Sequence, residues 1–150
     1  MKAVVQRVSR ACVRADGRVA GEIGPGLLVL LGVAPDDGER EAVHLAGKVA
    51  RLRIFEDAAG RFDRSLRDAG GAALVVSQFT LFADTTRGNR PSFAGAADAA
   101  RAEPLYERFC DALRESGVPV ERGVFGARME VELVNDGPVT LLLDAGAAEL

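Results

Sequence analysis

The chain has 150 residues, 48% of them hydrophobic and 27% charged, with a formal net charge of −3. That length fits one domain over residues 1–150, and that charge excludes a protein that coats nucleic acid by bulk electrostatics, though not one that grips a single RNA end. The first ten residues hold no apolar run long enough for a signal peptide, and the longest apolar stretch, residues 27–34, is interrupted by Gly32 and too short to span a bilayer, so a cytoplasmic protein with no membrane partner is expected.

Taken in chain order, residues 2–8 are rich in valine and read as a strand. Residues 12–14 and 18–23 flank Asp16-Gly17, a hairpin signal, and Gly24-Pro25-Gly26 marks a second turn. Residues 27–33 form a continuous aliphatic run, as expected of a central strand covered on both faces. Asp36 and Asp37 offer an N-cap to a helix with Glu39 and Glu41 in its first turn and Val43, Ala46, Val49 and Ala50 at helical spacing. Residues 53–56 read as a strand, 57–60 as a turn and 73–79 as another buried strand. Asp98 caps a second helix through Ser116, whose apolar stripe is Leu105, Phe109, Ala112 and Leu113 and whose stop is Gly117-Val118-Pro119. Two late strands follow over residues 129–134 and 139–144, and residues 145–150 are expected to fray. About eight strands and two amphipathic helices imply a mixed α/β fold, a sheet or flattened barrel with its helices on one side.

The chemistry-bearing side chains are few. Cys12 and Cys110 form no CxxC and read as buried free thiols, and with His44 as the only histidine no zinc site is expected. His44 lies on the first predicted helix and reads as structural. Among 19 basic residues only Lys2 and Lys48 are lysine. Arg51, Arg53, Arg61, Arg64 and Arg67 cluster, and read either as a solvated face or as a phosphate-contacting patch.

Three segments depart from ordinary packing. Ser77-Gln78-Phe79-Thr80-Leu81 sets polar residues at the end of a buried strand, where each unpartnered group would cost about 1–3 kcal/mol; they bond neighbouring backbone or face a ligand. Arg87-Gly88-Asn89-Arg90-Pro91-Ser92-Phe93 is a loop, either a solvent-exposed turn or, with two arginines around a pliable Gly-Asn, an anion contact. Val134-Asn135-Asp136-Gly137-Pro138-Val139-Thr140 favours, on spacing alone, a plain hairpin turn between two strands.

In this order and spacing the segments closely resemble the D-aminoacyl-tRNA deacylase family. Gln6-Arg7-Val8, residues 26–32, Leu52-Arg53-Ile54-Phe55-Glu56-Asp57, and Phe125-Gly126-Ala127 with Met129 extend the resemblance over residues 1–144. Phe82, Phe62, Arg128 and Cys12 stand where that family commonly has Tyr, Met, an acidic residue and Ser or Thr; none lies in the three core segments.

The resemblance implies a three-layer β/β/α sandwich or flattened barrel and a homodimer with each active site at the subunit interface. It implies hydrolysis of D-aminoacyl-tRNA, and of glycyl-tRNA, with L-aminoacyl esters excluded. Ser77, Gln78, Phe79 and Thr80 would line the wall that receives the 3′-terminal adenosine of tRNA and its amino acid. Gly137 and Pro138, joined by a cis bond, would enter from the partner subunit as a gate against L-side chains. Backbone N–H groups at Phe79 and Thr80 are expected to hold the oxyanion, with Ser77 and Gln78 ordering adenosine and water. Thr80 is the side-chain nucleophile to consider, but no base stands near it in the sequence, so catalysis assisted by the RNA's own vicinal hydroxyl ranks above covalent Thr80 catalysis. Arg7, Arg87 and Arg90 are candidate phosphate contacts, and Asn89, Met129 and Asn135 join them as candidate substrate or tRNA contacts. No metal, cofactor or DNA partner is implied. A non-catalytic RNA-binding or editing-like module and a Thr-dependent esterase of small esters are the alternatives.

Overall fold

The computed structural model describes residues 1–146. β1 (Lys2–Ala15) is one strand of 14 residues rather than the two short pieces expected. It stays extended because it has partners along its whole length. Its first half pairs antiparallel with β3 (Gly26–Gly32), its second half with β2 (Arg18–Ile23), and its opposite edge with β8 (Met129–Asp144). The expected turn at Asp16-Gly17, both at positive φ, joins β1 to β2. β3 pairs in parallel with β6 (Ala72–Ser77), and β6 with β7 (Val120–Arg122), a strand the hydrophobic pattern did not reveal. The strand expected over residues 53–56 shrinks to β4 (Phe55–Glu56), which pairs with β5 (Phe62–Arg64) around a turn held by the Asp57 carboxylate.

The two expected helices form. In α1 (Glu39–Arg51) the N-cap is Gly38, not Asp36 or Asp37. Glu41 reaches back to accept the Gly38 N–H at 2.7 Å, which holds its carboxyl below the usual range. Asp37 is used elsewhere: its carboxylate accepts the Ala34 N–H at 2.7 Å and the buried Met1 ammonium at 2.6 Å. α2 (Ala99–Glu115) is capped as expected by Asp98, which accepts from the Arg101 N–H at 2.9 Å.

Side chains alternate along β3 and build two cores. Leu27, Val29 and Leu31 join Val5, Val75, Leu45, Val49, Phe109 and Leu113 on the helix side. Leu28 joins Val8, Val13, Ile23, Leu74 and Val76 on the other. Each fully buried aliphatic or aromatic side chain stabilises by about 1.5–3 kcal/mol relative to exposure. The central strand is thus covered twice, as its unbroken aliphatic run requires. β2 returns over β6 and β7, where a Cβ on Gly21 would lie 2.7 Å from the Arg122 carbonyl oxygen, so the sheet curls towards a barrel. Helices, central sheet and curled β1–β2–β8 flap form the three layers.

Ala145 does not fray: it is buried and its N–H donates to the Met1 carbonyl at 2.8 Å. The rest of the expected tail falls largely on residues 147–150, outside the described residues. Among the described residues no helix is long and apolar enough to cross a membrane.

Candidate active site

β6 carries Leu74, Val75 and Val76 through the core and surfaces at Ser77. The expected strand over residues 73–79 ends there, because the Gln78 N–H donates to Leu31 O at 2.8 Å and the chain then tightens into a 3₁₀ turn (Phe79–Phe82). Gly32 permits that turn to sit against β3: a Cβ there would lie 3.0 Å from the Phe82 ring and 3.1 Å from the Gln78 carbonyl oxygen. The first N–H groups of a helix have no acceptor within it. Phe79 and Thr80 hold those positions, and among the described residues neither N–H has a backbone acceptor.

A cavity of about 480 Å³ opens at this strand end. Ser77, Gln78 and Phe79 form one wall, and Phe125, Ala127 and Met129 the facing one. The volume is that of a site for a small ligand or one nucleoside with its substituent. Thr80 stands exposed beside the wall, and its hydroxyl oxygen accepts a hydrogen bond from the Gln78 amide. His44 is half-buried on α1 and does not line the cavity.

The facing wall is braced from below by a residue that sequence reasoning missed. The Tyr106 hydroxyl on α2 donates to Val75 O at 2.7 Å, and the Gly123 N–H donates to the same oxygen at 3.2 Å. The Tyr106 ring lies 5.9 Å from that of Phe125. One buried side chain therefore ties the end of β6 to the segment carrying Phe125, and burial holds its phenol above the ordinary range. The available signal was the chain's single tyrosine within a helix's apolar stripe, where a buried hydroxyl must find an acceptor.

The third segment is not a hairpin. β8 runs without a break from Met129 to Asp144 against β1, and residues 136–139 bulge out between the pairs Val8–Asn135 and Gln6–Thr140. The Gly137-Pro138 bond in this corner is cis, and Gly137 has φ of 139°, a region that disfavours any side chain. The corner is pinned from both sides. The Asn135 amide donates to Arg7 O at 2.9 Å and Val139 O at 3.0 Å. Arg7 donates through Nε to Asp136 O at 3.1 Å and through Nη1 to Ile54 O at 2.8 Å.

These bonds correct the expectation for Arg7. It is 6% exposed beneath the corner, facing Asp136 and Glu56, and is spent on protein oxygens rather than held out for a phosphate. Arg87, Asn89 and Arg90 are exposed, as their loop predicted, on a segment closed by the Asp84–Ser92 bridge. The first-half cluster is partly neutralised: Arg53 pairs with Asp63, Arg61 with Asp57, and Arg64 donates to Asp68 O. Ser77, Gln78, Phe79 and Met129 thus meet at one cavity, with Thr80 at its edge. Among the described residues neither Gly137 nor Pro138 lines that cavity.

Residues 4–144 match the family described as D-Tyr-tRNA(Tyr) deacylase. A D-aminoacyl-tRNA deacylase of Deinococcus radiodurans is 62% identical over 144 residues, covering 96% of this chain and 99% of that protein. One from Anaeromyxobacter dehalogenans is 63% identical over 145 residues, covering 97% of each. Among solved structures, the c-Myc DNA Unwinding Element Binding Protein superposes with a TM-score of 0.91 at 42% identity, covering 98% of this chain and all of that one (100%). A probable eukaryotic D-amino acid tRNA deacylase shares the fold, with a TM-score of 0.83 at 19% identity. The ordered motifs, the cavity at the end of β6 and these matches lead to one assignment: the chain belongs to the D-Tyr-tRNA(Tyr) deacylase family.

Proposed function

We propose that the protein hydrolyses the ester joining a D-amino acid to the 3′-terminal adenosine of tRNA. The observation that carries this is the cavity itself: nucleoside-sized, walled by Ser77 and Gln78, and bordered by two N–H groups free of backbone acceptors at Phe79 and Thr80. Water adds to the ester carbonyl, and the two N–H groups take the developing oxyanion. The tetrahedral intermediate collapses with loss of the ribose oxygen, which receives a proton, leaving free amino acid and tRNA. The vicinal ribose hydroxyl relays the proton. Ser77 and Gln78 orient adenosine and water, and Met129 packs on the opposite side. Thr80 is not the nucleophile in this scheme, because the group bonded to its hydroxyl is an amide, which cannot act as a base.

Chirality is read by exclusion. The Gly137-Pro138 corner closes over the cavity of a second copy, so that an L-side chain meets main chain, a D-side chain points to solvent and glycine passes. Its absence from its own cavity supports this reading. So does the surface: Leu142 is 81% exposed beside a groove of about 270 Å³ shared with Val4 and Leu81, and among the described residues β8 pairs only with β1. A 16-residue edge strand with one side open and an exposed leucine is a surface that proteins cover. Asn135 and Arg7 position the corner, while Arg87, Asn89 and Arg90 meet the RNA backbone. The protein works in the cytoplasm.

The test is release of tyrosine from D-tyrosyl-tRNA by the wild type and by Thr80→Ala. Hydrolysis by the wild type, with appreciable turnover surviving in the variant, is expected. Loss of all turnover with tRNA binding intact would assign Thr80 as nucleophile, and no release by the wild type would reject the function. Charge reversal at Arg90 is expected to weaken tRNA binding and its salt dependence; unchanged affinity would remove that contact.

A further inference from the structure

We propose that Phe79 and Phe93 form a stacking platform for the unpaired nucleotide that precedes the terminal adenosine, with Arg87 and Arg90 drawing in its phosphate; the proposal rests on the tRNA reading above. Phe79 and Phe93 are 55% and 37% exposed, large rings left open to water outside either core. They touch each other edge to face, with centroids 5.1 Å apart and planes at 73°. Such a contact occupies one face of one ring and leaves the other faces for a base. It also fixes both rings, so little freedom is lost when a base arrives.

The position suits a strand end leaving the cavity. Phe79 lies between Gln78 and Thr80 and itself lines the cavity wall, so a nucleotide attached to a nucleoside seated there passes this pair. Phe93 directly follows Ser92, where the loop is closed by hydrogen bonds. Asp84 and Ser92 exchange two backbone hydrogen bonds at 2.8 and 2.9 Å. The Asp84 carboxylate is taken up by the Thr86 N–H at 2.9 Å and hydroxyl at 2.7 Å. The loop's two arginines therefore carry uncompensated charge: both are exposed, and among the described residues neither has an ion-pair partner. Aromatic faces beside free guanidinium groups are what single-stranded RNA requires, one for the base and the other for the backbone.

The experiment compares D-tyrosyl-tRNA with the D-tyrosyl ester of adenosine alone, which lacks the nucleotide the rings would hold. Phe93→Leu is expected to raise KM for the tRNA substrate roughly tenfold or more while kcat holds, and to leave the adenosine ester unaffected. Phe93→Tyr, which keeps an aromatic face, is expected to restore the tRNA KM. Equal losses on both substrates, no change on either, or conversion of the variant to a slower, lighter species in sedimentation would overturn the platform, the last by assigning the rings to subunit contact. A wild-type enzyme inert towards both esters would instead reject the parent function and the platform with it.

Discussion

Cys110 lies wholly buried on α2, and burial pushes its thiol up to about 11 from an ordinary 9.0. Its proton is therefore kept in the folded chain after the unfolded chain has lost it. This contribution to stability is fully present below about 9 and is lost as pH rises through about 11. Urea midpoints measured at pH 8 and 10.5 should fall at the higher pH, with Tyr106, also held up by burial, adding to the fall. Cys110→Ala should flatten part of that slope; an identical slope would show that the thiol is not the group titrating. Asp37 offers a second test at this scale, since its carboxylate is the ion-pair partner of the buried Met1 ammonium among the described residues. Removing one partner strands the other's charge, so Asp37→Ala should lower unfolding free energy by about 3–5 kcal/mol. A urea midpoint close to that of the wild type would contradict the buried pair. Neither this pair nor the buried brace made by Arg7 is visible in the sequence, where Asp37 reads as a helix cap and Arg7 as a candidate phosphate contact. Both assignments turn on burial created by partners 36 to 129 residues away.

At the scale of elements, the sequence was most legible where one segment decides its own state. Both helices follow from their apolar spacing, α2 also from its Asp98 cap, and the doubly covered β3 from its unbroken aliphatic run. The Ser77-to-Thr80 wall was legible for a related reason, since polar groups at the end of an apolar run must be partnered. Spacing alone makes the Gly137-Pro138 corner a hairpin, because Asp-Gly-Pro carries every local turn signal, whereas the cis bond found there is what the family resemblance implies. What keeps β8 a single strand is β1, whose pairing residues lie more than 110 positions away. The short β5 and β7 escape a reading of the pattern because strands of three residues have no period to detect. The corner's geometry makes its own prediction. Asn135→Ala deletes two hydrogen bonds, to Arg7 O and Val139 O, and should lower stability by about 1–2 kcal/mol. It should also narrow the ratio of D- to L-tyrosyl-tRNA hydrolysis. An unchanged ratio would separate the corner from stereochemical choice.

At the scale of the whole molecule, the three layers bury two cores yet leave β8 with one open edge and Leu142 in water. The cavity and the corner, both parts of the proposed chemistry, do not meet within one chain. The proposed second copy would resolve both facts. The wild type should sediment at twice its 15.8 kDa chain mass, and Leu142→Arg should shift it towards the single-chain mass with loss of deacylation. A fully active monomer would be incompatible with a shared site. No reading of periodicity reaches this level, because the partner's surface belongs to no segment of the pattern; it entered only through family resemblance. The most direct measurement is a paired deacylation assay, with D-tyrosyl- and L-tyrosyl-tRNA at equal concentration and the same enzyme preparation. The expected result is rapid release of D-tyrosine while the L-ester decays no faster than in buffer; release of both at similar rates would contradict the stereochemical gate.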